Sequence, residues 1–555
     1  MIGMEKVWLH LWPNDIPKTL NYHGGSKPLF EYLRRWALEE PEKPAIIFYG
    51  KCITYKELDE MSDRFATFLL QQKLQKGDRI VIYMHDSPYF PIALYGSQKV
   101  GVSVAPCSPM YKEWELEHEL NDIEPKLIVC MDRLYPVLRV IRKKKPVKTV
   151  VVGSLRDFCD FQSDINIPKE FEFSKETFTD TIEFKEILDK VPPNRHHMEI
   201  DLNKDIAYIP YTGGSTGIPK GVMHTYGAGL FKAACWTSVR RFRKDEKVIA
   251  INPLFHMAGL VKSYGYIYSG TTQVMMTRFD PLACLQAIER YKVTGFHGPV
   301  PTLIAIMDHP EAAKYDLSSL RWSTATSFGV PLTEEIAQKW KNFTKGCTVI
   351  ESAYGLTETH DMDCYMPWDK AIYGTGEIPC GIPSYEQEFK IVDLEDNSKE
   401  LQIGEMGEVV IRNPALFKGY WKNPEATAQV LRDGWLYTGD VGRFDQNGYF
   451  YLVGRKKEMI KVSGFAVAPA EIEMFLNRHP AVEESAVVGI PDEIRGEVVK
   501  AVIVLRPEYV GKIKESEIIE WAKDKISSYK VPKVVEFRDK LPYSEAHKVI
   551  IRLLK

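Results

Sequence analysis

The sequence predicts an α/β protein with largely parallel sheets, ending in a smaller unit that has its own core. Three observations carry this. The 555 residues exceed what one hydrophobic core organises, which levels off at about 250–300 residues. Short apolar runs at 44–49, 79–84, 126–130, 149–152 and 348–351 alternate with amphipathic stretches at 55–72 and 114–120. Strand and helix signals in alternation are the mark of parallel α/β architecture. Finally, the pattern breaks at 448–462 and restarts as a compact unit reaching Lys555. That unit shows helix signals at 470–477 and 515–526 and strand signals at 486–488 and 499–505. About 100 residues suffice for a small domain.

Composition narrows the function class. Hydrophobic residues at 45% and charged residues at 26% are ordinary globular values. A formal net charge of -3 lacks the basic excess of a nucleic-acid binder. The strongest basic run, Arg142, Lys143, Lys144 and Lys145, reads as a solvated loop. The polar stretch 157–201 reads as a surface excursion. Nine cysteines are dispersed from Cys52 to Cys380 without a C-x-x-C pair, as expected of idle thiols in a reducing compartment. The start of the chain carries no basic-then-apolar signal pattern, and no window approaches the ~18 apolar residues of a membrane span. The expectation is a cytoplasmic enzyme.

The most informative segment is Tyr211-Thr-Gly-Gly-Ser-Thr-Gly-Ile-Pro-Lys-Gly221, entered from an apolar strand signal at 206–209. Small residues let backbone N–H groups approach phosphate oxygens, hydroxyls add donors, and a lysine adds charge. No G-K-[ST] follows, so it is not a Walker A loop. Gly374-Thr-Gly376 lacks the third glycine of a dinucleotide fingerprint and reads as a turn.

Further landmarks follow in order: Thr54-Tyr55-Lys-Glu-Leu58, Gly77-Asp78-Arg79, Pro253-Leu-Phe-His256, Tyr315-Asp-Leu-Ser-Ser-Leu-Arg321, Tyr354-Gly-Leu-Thr-Glu358, Gly419-Tyr420, Trp435-Leu-Tyr-Thr-Gly-Asp440, Gly454-Arg455, Lys461-Val-Ser-Gly464 and Leu541-Pro-Tyr-Ser with Lys548. With the glycine loop, and over nearly the whole chain, they resemble the AMP-forming adenylating superfamily of acyl-CoA synthetases, peptide-synthetase adenylation domains and firefly-type luciferases. The resemblance implies a large N-terminal domain of stacked α/β sheet subdomains, residues 1–455, and a small mobile C-terminal α+β domain, residues 456–555. It implies an acid–thiol ligase: a carboxylate attacks the α-phosphate of ATP, and the acyl group then passes to coenzyme A.

The resemblance also distributes roles. Thr212, Gly213, Gly214, Ser215, Thr216, Gly217 and Lys220 would embrace the β- and γ-phosphates. Gly329, Ser352, Ala353, Tyr354, Gly355 and Leu356 would surround the nucleotide, with the Tyr354 ring on adenine. Thr357 would bond the α-phosphate and Glu358 would bind Mg2+, which favours carboxylate and phosphate oxygens. Asp440 would accept from the ribose hydroxyls with Arg455 assisting. Lys548 would be the adenylation lysine, although His547 stands where the family has glycine. Lys457 matches the hinge of domain rotation, and Ser463, Gly464 and Phe465 match the loop facing coenzyme A.

The acyl pocket is less constrained. Relatives specific for acetate or propionate place tryptophan where this chain has Gly355, so the glycine implies room for at least four carbons. Phe328 replaces a usual glycine in Ser327-Phe328-Gly329-Val330-Pro331 and would narrow the site. His256 would gate the acyl or thiol channel. A pocket-facing His360 could bond a substrate hydroxyl. The expected acid is a short- or medium-chain fatty acid or a hydroxy acid such as 4-hydroxybutyrate. The rival is an adenylating enzyme loading an amino acid or aryl acid onto a carrier protein; residues 235–238 lack the acid that would hold an α-amino group. Expected partners are the acid, ATP and coenzyme A, with neither nucleic acid nor an integral membrane segment; homo-oligomer formation is left open.

Overall fold

The computed structural model describes residues 6–144, 147–212, 219–327, 330–374, 377–462, 465–492, 496–523, 525–526, 528–543 and 549–555. Two seven-stranded sheets form the first part of the chain. One runs in the order Val349–Glu351, Trp322–Thr326, Gly295–Pro299, Lys247–Ala250, Thr272–Met275, Pro44–Phe48 and Lys51–Thr54; the other, Ile182–Glu183, Thr149–Gly153, Leu127–Met131, Arg79–Tyr83, Ser103–Cys107, Ile206–Tyr208 and His224–Thr225. Within each, every pair is parallel except the terminal hairpin partner. The Val- and Ile-rich strands Leu127–Met131 and Thr149–Gly153 are buried at every position, as parallel strands covered on both faces must be.

An eight-stranded antiparallel sheet follows, from Ala353–Tyr354 to Phe450–Arg455, and a five-stranded sheet occupies Ile460 to Phe537. The last sheet has its own apolar cluster, including Ile460, Ile472, Leu476, Val499 and Ile518. The molecule is thus mixed α/β, a large N-terminal part with a small C-terminal one.

Most expected elements form within a residue or two. The 55–72 signal is the helix Tyr55–Gln71, held at its start by a capping box of Thr54 and Glu57. Two expectations are corrected. Arg142, Lys143 and Lys144 are not a loop; they form the last turn of helix Tyr135–Lys144, where cations suit the helix C-terminus. Arg142 there reaches the Asp180 carboxylate at 3.2 Å, while Lys145 lies outside the described residues. The 157–201 stretch is not wholly a surface excursion: it holds helix Phe184–Lys190, with Phe184 and Ile187 buried. Seven of the nine cysteines are buried and all are free. Among the described residues no helix is long and apolar enough to cross a membrane.

Helix Tyr55–Gln71 is locked to Tyr89–Lys99 by a close approach and a buried charge. A Cβ at Gly96 would lie 2.7 Å from the Ser62 carbonyl oxygen. One turn on, the fully buried Lys99 ammonium sits 2.6 Å from Asp59 Oδ1 and 2.7 Å from Asp63 Oδ1, and donates to Ser62 Oγ at 2.9 Å. Replacing it by an apolar residue leaves two buried carboxylates short of a cation. Lys99→Met is expected to cost about 3 kcal/mol, read as a lowered urea midpoint for the N-terminal part.

Candidate active site

The strand Ile206–Tyr208 carries the chain to the glycine loop, whose neck is a two-rung backbone closure. Tyr211 and Gly221 form an antiparallel bridge, and the Thr212 amide donates to the Lys220 carbonyl at 3.0 Å. The Tyr211 hydroxyl anchors the neck on Asp122 at 2.7 Å. Thr212 and Lys220 therefore stand side by side at the mouth. Gly213, Gly214, Ser215, Thr216 and Gly217 lie outside the described residues. The Lys220 ammonium lies 4.9 Å from the centre of the Tyr420 ring, and the Tyr420 hydroxyl donates to Glu358 Oε1 at 2.7 Å.

The segment Ser352 to Glu358 leaves the carboxyl end of strand Val349–Glu351, the end at which open α/β sheets bind ligands. The Ser352 amide donates to Ala325 at 2.7 Å, and Ala353 and Tyr354 pair with Tyr365 and Cys364. Two contacts hold the following turn: His224 Nε2 lies 2.7 Å from the Thr357 carbonyl oxygen, and the Phe417 amide donates to the Glu358 carbonyl at 2.9 Å. Burial pushes the His224 imidazole down to about 3, so it is neutral and donates through Nε2. The Thr357 hydroxyl has no hydrogen-bond partner among the described residues.

Asp440 faces this segment from strand Trp435–Phe444, opposite Arg455 of Phe450–Arg455. Its Oδ2 accepts from the Tyr354 hydroxyl at 2.7 Å, and its Oδ1 lies 2.7 Å from Arg455 Nε. Burial raises Asp440 to about 6 against the opposing pull of Arg455 and the Tyr354 hydrogen bond. The Tyr354 ring is itself buried against Phe450, centroids 5.1 Å apart.

On the expected acyl side two readings change. His360 does not face a pocket. It is fully buried, with the Tyr208 hydroxyl 2.8 Å from Nδ1 and the His224 ring centre 4.8 Å away; burial holds its imidazole well below the usual range. Gly355 does not open free space where a tryptophan would stand. A Cβ there would lie 2.3 Å from the Met362 amide nitrogen and 2.6 Å from Asp361 Oδ1. The chain folds back this far because His360, Asp361 and Met362 are all left-handed, at φ of 65°, 59° and 55°, a conformation costing about 1–2 kcal/mol per residue.

That turn is held by an ion pair no motif announced: Lys232 Nζ, from helix Tyr226–Val239, sits 2.8 Å from Asp363 Oδ1, both fully buried. The signal available was a lone lysine in an otherwise apolar helix, Tyr226–Val239. His256 is the N-cap of helix Met257–Ser269, its Nδ1 3.2 Å from the Ala258 amide, and it is exposed. Phe328 and Gly329 lie outside the described residues; the preceding Ser327 donates to Glu351 Oε2 at 2.6 Å.

Lys457 lies in the short turn Lys456–Glu458 that follows strand Phe450–Arg455. Its ammonium is held below its ordinary range, first by burial and then by the charges of Arg455 and Lys220, so it adjoins the same cationic mouth. Its neighbour Lys456 is pinned to Glu408 at 2.7 Å. Ser463, Gly464 and Lys548 lie outside the described residues, as does the Phe465 side chain; Phe465 begins strand Phe465–Val467. Tyr543 and Val549, which flank Lys548 in the sequence, form an antiparallel bridge.

Residues 33–421 match the family described as AMP-binding enzyme, and residues 471–548 match the AMP-binding enzyme C-terminal domain. The chain is 35% identical to a long-chain-fatty-acid–CoA ligase of Bacillus subtilis, over 99% of this chain and 98% of that one. It is 31% identical to a feruloyl-CoA synthase of Amycolatopsis, over 93% and 96% respectively. ATP-bound MatB from Rhodopseudomonas palustris superposes with a TM-score of 0.81 at 27% identity, covering 95% of this chain and 98% of that chain. Matched along its length by ligases of this kind, the chain belongs to the AMP-binding enzyme family and is an AMP-forming acyl-CoA synthetase that uses ATP and coenzyme A.

Proposed function

We propose that the chain activates a short- or medium-chain carboxylic acid, hydroxy acids such as 4-hydroxybutyrate included, at the mouth where Lys220, Thr357, Glu358 and Asp440 converge. The observation that carries the length limit is the backbone of Asp361 and Met362 packed against Gly355. It fills space that an extended chain running past that glycine would need.

The loop from Thr212 to Gly217, with Lys220, would hold the β- and γ-phosphates, and the Thr357 hydroxyl the α-phosphate. Asp440 is suited to ribose. Each carboxylate oxygen already takes one donor and retains a lone pair for a sugar hydroxyl. Ser352, Ala353, Tyr354 and Leu356 would form the adenine wall. Glu358 fits Mg2+ as a single protein ligand. Among the described residues no group of three or more His, Cys, Asp or Glu could cage a metal, and Mg2+ characteristically takes one carboxylate with phosphate oxygens and water. When bound there it would supply positive charge to the triphosphate.

Lys548 would approach for adenylation, neutralising charge on the α-phosphoryl oxygens in the transition state. Departure of the small domain, residues 456–555, about Lys457 would then admit coenzyme A past Ser463, Gly464 and Phe465. His256, exposed at the start of its helix, would border that entry. A site of this kind, rather than one that loads a carrier protein, consumes free coenzyme A.

Lys548→Ala is expected to slow acyl-adenylate formation about 10²–10³-fold, measured as pyrophosphate release. The same variant should convert preformed acyl-AMP and coenzyme A at close to the wild-type rate, because that step does not need the lysine; equal loss in both steps would count against the division of labour.

Asp440 must be ionised to accept from two ribose hydroxyls. With its carboxyl raised to about 6, kcat/KM for ATP should fall as pH drops through 6, approaching tenfold per unit below it. Asp440→Asn should lower kcat/KM for ATP above pH 6, where the wild-type carboxylate is ionised, and abolish that acid limb.

A further inference from the structure

The helix that begins at His256 carries a charge that adenylation does not explain. Lys262 is 3% exposed. Its only hydrogen bond to a described residue goes back to its own helix, to the Ala258 carbonyl at 2.9 Å. It forms no ion pair with a described residue, unlike the buried Lys99 and Lys232, each set on carboxylates. The charges acting on it are the attraction of Asp361 and the repulsion of Arg240. Arg240 is occupied with the carbonyls of Ser352 and Met366. Asp361 lies against Gly355, its Oδ1 2.6 Å from where a Cβ would stand, and it is held there by the left-handed turn. His297 completes the surroundings: it feels the charge of Lys262, and its Nδ1 is 3.4 Å from Ser352 Oγ.

An ammonium with donors left over is therefore buried within electrostatic reach of Asp361, whose carboxylate lies against Gly355. An alkyl tail would leave both charges desolvated without compensation, and unmatched buried polar groups are what make a site reject an apolar analogue. A dicarboxylic acid would bring a second anion against Asp361. A hydroxyl suits both, accepting from an ammonium and donating to a carboxylate. Resting on the ligase reading above, we propose that Lys262 and Asp361 are the specificity-determining pair of the acyl site and that they recognise a hydroxyl group on the acid. The assignment moves hydroxyl recognition from His360, which is sealed in the core, to Lys262 and Asp361.

The test is coenzyme-A-dependent AMP formation by the full chain with matched acids: 4-hydroxybutyrate against butyrate and succinate, and 6-hydroxyhexanoate against hexanoate and adipate. The better hydroxy acid should exceed its unsubstituted partner about 100-fold or more in kcat/KM. Lys262→Met should bring that ratio to near one with KM for ATP unchanged, and Asp361→Asn should lower it partially. Equal turnover of the matched pair by the wild type overturns the proposal, as does preference for the dicarboxylates. So does a Lys262→Met variant that loses both acids in equal proportion. If the variants do not fold, the wild-type ratios still decide. AMP formation with plain acids alone refutes hydroxyl recognition and leaves the short- or medium-chain reading standing; no AMP with any of the six acids refutes both.

Discussion

The site depends on a strip of backbone three residues long. Gly221, Val222 and Met223 leave the glycine loop and are clamped on two sides. The Val222 amide donates to Pro210 at 2.8 Å, the Trp421 amide to Gly221 at 2.7 Å, the Met223 amide to Gly419 at 3.1 Å and the Lys418 amide to Met223 at 2.9 Å. The next step, from Phe417 to the Glu358 carbonyl, adds the nucleotide-facing turn to the same ladder. Parallel and antiparallel parts of the molecule are thereby joined by main-chain bonds at the point where a triphosphate would need a lysine, a tyrosine and a carboxylate together. Gly221 is required by the closeness of this join: a Cβ there would stand 2.8 Å from Ile209 and 3.2 Å from Trp421. The meeting of Lys220, Tyr420 and Glu358 follows from that clamp.

Electrostatics divides the site into two regimes. At the proposed nucleotide site the ion pair is half open, with Arg455 43% accessible at its side chain while Asp440 is 4% accessible, so one end of the pair keeps its water. Behind Gly355 the charges are enclosed. The Lys232–Asp363 pair is sealed, and Thr359 and Asn413 also donate to Asp363. Such a network costs desolvation and returns conformational definition. Its visible effect is to hold a left-handed turn that the sequence of His360, Asp361 and Met362 would not adopt alone.

That turn marks where reading from sequence stops. The strands were legible because buried parallel strands are continuous apolar runs, and the helix at Tyr55 because Thr54 and Glu57 form a cap. Asp440 and the ends of the glycine segment, Thr212 and Lys220, stood out in the sequence because they sit in motifs of contiguous residues. His360 was misread because a histidine after Glu358 looks polar and exposed, and only the tertiary stacking of Tyr208 and His224 gives it a core. Gly355 was misread for a related reason. Whether a glycine opens space depends on what packs against it, and here the occupant is backbone from six and seven residues on, delivered by three consecutive positive φ angles. The basic run at Arg142 went wrong because its partner, Asp180, is 38 residues distant in sequence.

The two halves of the site are therefore built from different materials. The groups proposed to face the nucleotide are set by main-chain pairing: Thr212 against Lys220, Tyr354 against Cys364, Asp440 against Arg455. Side-chain substitution nearby leaves such pairing in place, because the bonds belong to the backbone. The groups behind Gly355 come instead from side chains on two helices, Tyr226–Val239 and Met257–Ser269, and from one left-handed turn. Under the proposal above, a change at Lys262 or Asp361 would alter which acid is accepted, while the main-chain ladder at Gly221 to Met223 would stay in place. On the proposed reading, adenylation geometry and acid choice are separable for a physical reason: one would be specified by hydrogen-bond register, the other by the charge and volume of a few enclosed side chains.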